Sequence, residues 1–168
     1  MSKKLFDLQN KNVLLTGASK GMGLAMAEGL VNHGANVVIS SRKLDQCEKA
    51  AKSINESIGK QKAFAYACNA SNKDELNALV EFSKSKLGSI TTLVCNAGVN
   101  SFFGSMSEID DESYDKTMDT NVKSNHWLIN MVTPSMKESG GGSVMITSSI
   151  AAFHASETLG TYSISKLA

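Results

Sequence analysis

Proline occurs once in these 168 residues, aromatic residues make up 6%, and no run of apolar residues is long enough to cross a bilayer. The single proline, Pro134, leaves long stretches free to form helix, and the shortage of aromatics makes small aliphatic side chains the natural core formers. A membrane span needs roughly 18 consecutive apolar residues, so no partner membrane is expected. Cysteine is sparse too. Cys47, Cys68 and Cys95 are odd in number and form no CxxC pair, which excludes a disulfide framework and leaves free thiols as the expectation. His33, His126 and His154 show no metal-ligand spacing, and no metal is expected. Nor does one sign of charge dominate. Seventeen basic residues against sixteen acidic ones give a net charge of +1, which offers nucleic acid no electrostatic footprint and points to a small-molecule partner. Met1-Ser2-Lys3-Lys4 leads into a mixed segment and not an apolar run, so a cytoplasmic protein is expected.

What is present is an alternation of β-rich runs with longer helical patterns, which is the pattern of parallel strands joined by crossover helices. The expected strands are Val13–Thr16, Asn36–Ser40, Ala63–Ala67, Thr92–Asn96 and Ser143–Thr147. Between the first two, Leu24, Ala27, Leu30 and Val31 fall at helical spacing, and the pattern ends at His33-Gly34. A second helix is expected from Leu44 to Ile58, stopped by Gly59. A third begins near Ser71, where Ser71 and Asp74 resemble a capping box, and ends before Gly88. One longer helical region runs from about Asp111 to Lys137, with Pro134 kinking it or marking its last turns. Residues 1–168 therefore read as one α/β domain, a doubly wound parallel sheet of Rossmann type.

Chemistry enters at the end of the first strand. Thr16-Gly17-Ala18-Ser19-Lys20-Gly21-Met22-Gly23 places three glycines in a turn between strand and helix. Small residues let the backbone approach a pyrophosphate, and the helix amino end offers it free N–H groups and a positive dipole. The spacing is neither GxGxxG nor the P-loop GxxxxGK[ST]. After the second strand the chain reads Ser40-Ser41-Arg42-Lys43. An NAD site usually places an acid there for the ribose 2′-hydroxyl. Here Ser41 stands in that place and Arg42, aided by Lys20, suits a 2′-phosphate, so NADP(H) is favoured over NAD(H).

These stretches and four others resemble the short-chain dehydrogenase/reductase (SDR) family. TGASKGMG is similar to its TGxxxGxG loop, Asn96-Ala97-Gly98 to its NAG motif, Asn121 to its helix asparagine, Ser149 to its catalytic serine, and Tyr162-Ser163-Ile164-Ser165-Lys166 to its YxxxK. The interval between Ser149 and Tyr162 is also the family's usual one. The resemblance implies an oxidoreductase that moves a hydride between a nicotinamide and a carbonyl or alcohol substrate. Tyr162 would supply or take the proton, because a cation one helical turn away favours the phenolate. Lys166 would hold the nicotinamide ribose, and Ser149, in preference to Ser148, would donate to the substrate oxygen. Asn121 would bind a water that links the lysine to solvent. Asn96, Ala97 and Gly98 would line the cofactor cleft with Gly17, Ser19, Lys20, Gly21, Met22 and Gly23. Where many members carry an aspartate for the adenine, this chain has Asn69, which can still donate or accept.

SSRK (40–43), VNSFFGS (99–105) and GGGSVMITSSIAAF (140–153) look like the subgroup of NADPH-dependent carbonyl reductases and retinol dehydrogenases, peroxisomal in animals. Two alternatives stand beside it: a 3-oxoacyl-carrier-protein reductase, and a dinucleotide-binding sensor or assembly protein without catalysis. Phe102, Phe103 and Phe153 could line a lipophilic pocket but fit the core equally well. Family members continue well past YxxxK. The chain is therefore expected to be a fragment, with Ser143–Thr147 as a sheet edge, homo-oligomerisation as a property of the full length, and any carboxyl-terminal targeting signal lying outside it.

Overall fold

The computed structural model describes residues 5–154 and 156–168. The chain runs β1 (Asn12–Thr16), α1 (Gly21–Asn32), β2 (Asn36–Ser41), α2 (Leu44–Ile58), β3 (Ala63–Ala67), α3 (Lys73–Leu87), β4 (Thr92–Cys95), α4 (Asp111–Met118), α5 (Ser124–Glu138), β5 (Ser143–Ile146) and α6 (Gly160–Leu167). The strands form one parallel sheet in the order β3-β2-β1-β4-β5. Each of the five expected strands is present, and the doubly wound parallel architecture is as the sequence implied.

Alternation along the strands explains how both faces are covered. Val13 and Leu15 of β1, Val37 and Ile39 of β2 and Val94 of β4 pack with Ala27, Val31, Ala50, Ala51 and Ile54 of α1 and α2. Leu14, Val38 and Leu93 point the other way, against Leu76, Leu79 and Val80 of α3 and Leu128, Val132 and Met136 of α5. Strands buried on both sides need no polar partner face, which is why VLLT and VVIS read as continuous apolar runs. Each fully buried leucine contributes about 1.5–3 kcal/mol of transfer free energy. Successive strands step outward from β1 to β3, and then β4 returns to the other flank of β1. That reversal opens a crevice at the carboxyl ends of β1 and β4.

β3 and β5 are the sheet edges. On β5, Val144, Met145 and Ile146 are all exposed, and the strand pairs only with β4 among the described residues.

Three local features differ from expectation. The cap of α3 is Asn72, whose side chain accepts from the N–H groups of Asp74 and Glu75, because the Ser71 hydroxyl is taken by Thr120 at 2.8 Å. The helical region from Asp111 to Lys137 is not uniform. A π turn, Asp119–Lys123, separates α4 from α5. Side chains one turn later bond to two of its carbonyls: Ser124 Oγ donates to Thr120 O at 2.6 Å and Asn125 Nδ2 to Asn121 O at 2.7 Å. Pro134 lies near the carboxyl end of α5, as one of the two sequence expectations had it. Thirdly, β4 ends at Cys95 and β5 at Ile146, since Asn96 and Thr147 turn their side chains to each other and to the glycine loop.

Replacing Asn72 by Ala removes both cap bonds and is expected to lower stability by about 1 kcal/mol, read from the denaturant midpoint at unchanged slope.

Candidate functional site

A cleft of about 1140 Å³ opens at the carboxyl ends of β1, β2, β3 and β4. The glycine turn forms its floor. Gly17 adopts φ +66°, and a Cβ on it would stand 2.8 Å from Ala97 Cα, so the two loops touch backbone to backbone. A Cβ on Gly23 would overlap Gly17 O and lie 2.8 Å from Ala18 Cα. No side chain caps the amino end of α1, nor those of α2, α5 and α6, whereas α3 and α4 are capped by Asn72 and Asp110. The first-turn N–H groups of α1 therefore have no intrahelical partner and need an acceptor from elsewhere. The residues thus fit a pyrophosphate on chemical grounds: a steric recess made by missing side chains and a set of free donors.

Gly17, Ser19, Lys20, Gly21, Met22, Gly23, Ser41, Arg42, Asn69, Asn96, Ala97 and Gly98 all line this cleft, whereas Tyr162 and Lys166, expected to meet the cofactor as well, do not. Their roles are not uniform. Asn96 Nδ2 donates to Gly17 O at 2.9 Å and to Thr16 O at 3.2 Å, while its Oδ1 accepts from Thr147 Oγ1 at 3.3 Å. Its side chain is fully occupied in bracing the loops. Thr16 Oγ1 accepts in turn from the N–H groups of Asn96 and Ala97. The Ser41 hydroxyl pairs with Cys47 Sγ at 3.1 Å. Asn69 Oδ1 accepts from Ser71 N at 3.2 Å, and Asn69 N donates to Glu75 Oε2, leaving its amide Nδ2 to face a ligand. Lys20, Arg42, Lys43 and Lys116 surround the cleft against one carboxylate, that of Glu112. Among the described residues no carboxylate lies within ion-pair distance of any of these four cations.

The remaining four expected residues gather beyond β4 and β5, outside the lining of this cleft. Asn121 is buried in the π turn. Its Oδ1 accepts from Val99 N and its Nδ2 donates to Val99 O, both at 2.8 Å, and also to Ser165 Oγ at 2.9 Å. Lys166 Nζ donates to Thr147 O at 2.9 Å and lies 5.9 Å from the centroid of the Tyr162 ring. Half-burial holds its ammonium below the ordinary lysine pKa. A Cβ on Gly98 would meet that ammonium at 3.0 Å, which places Gly98, Asn121 and Lys166 in one corner. Ser149 Oγ accepts from Ala151 N at 3.2 Å at the start of a short 3₁₀ turn. Ser148 points elsewhere, donating to Lys166 O at 2.6 Å. Among the described residues no hydrogen bond joins Ser149 to Tyr162 or Tyr162 to Lys166.

Sequence reasoning gave no bonding role to the hydroxyls of Thr16, Thr120 and Ser165 and took Ser71 for a helix cap, although all four join these loops. Their only signal was position, each lying inside or within two residues of a site residue. The phenylalanines divide: Phe102 is half-buried, whereas Phe103 and Phe153 are 73% and 78% exposed and do not belong to the core. All three cysteines are buried and free, and burial pushes the thiols of Cys68 and Cys95 up to about 12. A second, shallower hollow of about 710 Å³ over β3 holds none of the expected residues.

Exchanging Asn96 for Ala strands the carbonyls of Thr16 and Gly17. It is expected to cost about 1–3 kcal/mol of stability, measured by urea unfolding. Asn96→Asp should be at least as damaging, because it sets a carboxylate against two carbonyl oxygens.

The geometry agrees with what known proteins show. The family described as short chain dehydrogenase matches residues 11–168. A curated relative, dehydrogenase/reductase SDR family member 4 of Homo sapiens, is 39% identical over 162 residues, covering 96% of this chain and 57% of that protein. The chain thus spans somewhat more than half the length of the curated relatives it matches. Among solved structures, L-sorbose reductase from Gluconobacter frateurii, complexed with NADPH and L-sorbose, superposes with a TM-score of 0.91 at 30% identity, covering 96% of this chain and 61% of that one. A metagenomic short-chain oxidoreductase in complex with NADP gives 0.88 at 28% identity, covering 95% and 71%. With its sheet order, its glycine turn and 158 residues from 11 to 168 all matching, this chain belongs to the short-chain dehydrogenase/reductase family.

Proposed function

We propose that this chain carries the dinucleotide site and the proton-transfer residues of an NADP(H)-dependent oxidoreductase acting on a carbonyl or alcohol substrate. The observation that carries the reading is the uncapped amino end of α1 in a cleft surrounded by four cations and a single carboxylate. The end of β2 offers no acid to a ribose 2′-hydroxyl. Arg42 is exposed there beside Ser41, and its planar fork suits a phosphate bidentately. L-sorbose reductase, similar over nearly the whole of this chain, was solved with NADPH.

When bound, the nicotinamide supplies or accepts the hydride. The chain's own groups handle the proton and the charge. Tyr162 donates the proton to the carbonyl oxygen in reduction, or removes it from the alcohol in oxidation. Lys166 commits one of its three donors to Thr147 O, which fixes the ammonium beside the Tyr162 ring and leaves the others for a ribose. Ser149 Oγ is an acceptor from Ala151 N, so its own proton remains free to be given to the substrate oxygen. The water relay expected of Asn121 would have to run through its main-chain carbonyl, which accepts from Asn125 Nδ2. Its carboxamide braces the corner instead.

Two measurements test this. In a fluorescence titration NADPH binds about tenfold or more tightly than NADH, and Arg42→Ala removes most of that difference, since each factor of ten is about 1.4 kcal/mol. Equal affinities in the unsubstituted protein would exclude the NADP preference.

In a chain that turns over a ketone or dicarbonyl with NADPH, Tyr162→Phe keeps NADPH affinity within about threefold while rate constants fall by at least two orders of magnitude, as expected for loss of a general acid. Substantial turnover by the Phe variant would show that the proton comes from another group. Binding without any turnover in the unsubstituted chain would favour the sensor reading.

A further inference from the structure

The hydroxyls of Ser71 and Thr120 meet at 2.8 Å, although 49 positions separate them in sequence. Both residues line the cleft, and they come from different segments, the loop after β3 and the π turn. Ser71 lies in the loop after β3, where its N–H donates to Asn69 Oδ1, so it fixes the side chain offered to the adenine end. Thr120 lies in the π turn, 7% exposed, and is the covalent neighbour of Asn121. From Asn121 the connection continues: Nδ2 donates to Ser165 Oγ at 2.9 Å, and Ser165 donates to Tyr162 O at 2.7 Å. The bond at Asn69 is exposed, but the links from Ser71 to Thr120, Asn121 to Ser165 and Ser165 to Tyr162 are hydrogen bonds of ordinary length between half-buried or buried groups, where such bonds are stronger than in water. The path joins the end of the cleft that takes the adenosine to the backbone of the helix that carries Tyr162 and Lys166.

A π turn is the right element for such a joint. Side chains one turn on bond to its carbonyls, Ser124 Oγ to Thr120 O and Asn125 Nδ2 to Asn121 O, so exchangeable side-chain bonds contribute to holding the turn. A shift of Thr120 is passed directly to Asn121. α6 is seated by side-chain bonds on both sides: Ser165 Oγ accepts from Asn121 Nδ2 and Lys166 Nζ donates to Thr147 O.

We propose that Thr120 is a positioning residue: its bond to Ser71 couples occupation of the adenine end of the cleft to the ordering of the Asn121 turn and of α6. The inference rests on the dinucleotide reading of the cleft. Coupling of this kind is reciprocal and is ordinarily worth a factor of about five or more.

The test uses adenosine 2′,5′-bisphosphate, which fills the adenine end and has no group to reach Tyr162 or Lys166. Hydrogen exchange of the amides from Tyr162 to Lys166 is followed with and without saturating bisphosphate in the unsubstituted chain, in Thr120→Val, Thr120→Ser and Ser71→Ala. The bisphosphate is expected to slow those amides roughly fivefold or more in the unsubstituted chain and in Thr120→Ser, and to leave them unchanged in Thr120→Val and Ser71→Ala although both still bind it. A merely structural role for Thr120 would alter exchange in the free protein without removing the response to ligand. If Thr120→Val fails to fold, Ser71→Ala decides the matter from the other side of the bond. An undiminished response in the variants overturns the coupling and leaves the dinucleotide reading standing. Failure of the unsubstituted chain to bind the bisphosphate at all overturns both.

Discussion

The carboxamide of Asn96 is the constraint on which the site depends. Where β1 and β4 end side by side, two loops must approach within backbone contact, and loops at such distance expose carbonyls that water can no longer reach. Asn96 Nδ2 satisfies those of Thr16 and Gly17, and its Oδ1 reaches across to Thr147. One amide thereby sets the spacing of three strand ends. The glycine at position 17 is required by the same geometry, because any Cβ would strike the Ala97 backbone that Asn96 holds in place. A pyrophosphate cradle follows from this packing; it needs no further side chain of its own.

The two halves of the site are built on different principles. At the adenine half, recognition surfaces are backbone N–H groups and absent side chains, supported from beneath by strands buried on both faces. Beyond β4 and β5 the arrangement hangs on side-chain bonds: Lys166 to Thr147, Ser148 to Lys166, Asn121 to Val99 and Ser165. β5 itself presents Val144, Met145 and Ile146 to solvent and is paired on one side only. The order of the corner that holds Tyr162 and Lys166 therefore rests on specific hydrogen bonds, whereas the glycine-loop end rests on backbone packing over buried strands.

Much of this was legible in the sequence, for identifiable reasons. Parallel strands covered on both faces must be apolar throughout, so VLLT and VVIS were unambiguous, and Gly59, at φ +65°, marked the end of α2 because only a residue without Cβ takes that conformation freely. The motifs TGASKGMG and NAG, and Arg42 after β2, fell on loops at one end of the sheet, so their convergence in one cleft followed from topology. What was not legible depended on competition between distant groups. Ser71 and Asn72 are both good caps, and the choice between them is made by Thr120, which no local pattern reveals. The π turn was hidden because a single inserted residue barely disturbs the apolar period across a helix as long as the stretch from Asp111 to Glu138. Asn121 was found by its motif, but that its carboxamide would be spent on Val99 and Ser165 could be known only once both lay beside it.

The π turn is also where one asparagine serves as a brace. Its carboxamide is spent on Val99 and Ser165, while its carbonyl accepts from the Asn125 side chain as that of Thr120 does from Ser124. The turn presents Thr120 Oγ1 to Ser71 on one side and Asn121 Nδ2 to Ser165 on the other. Leaving either of these buried groups without its partner would cost about 1–3 kcal/mol. Local helical regularity is given up, and the joint between the two halves of the site is what the chain obtains from its loss.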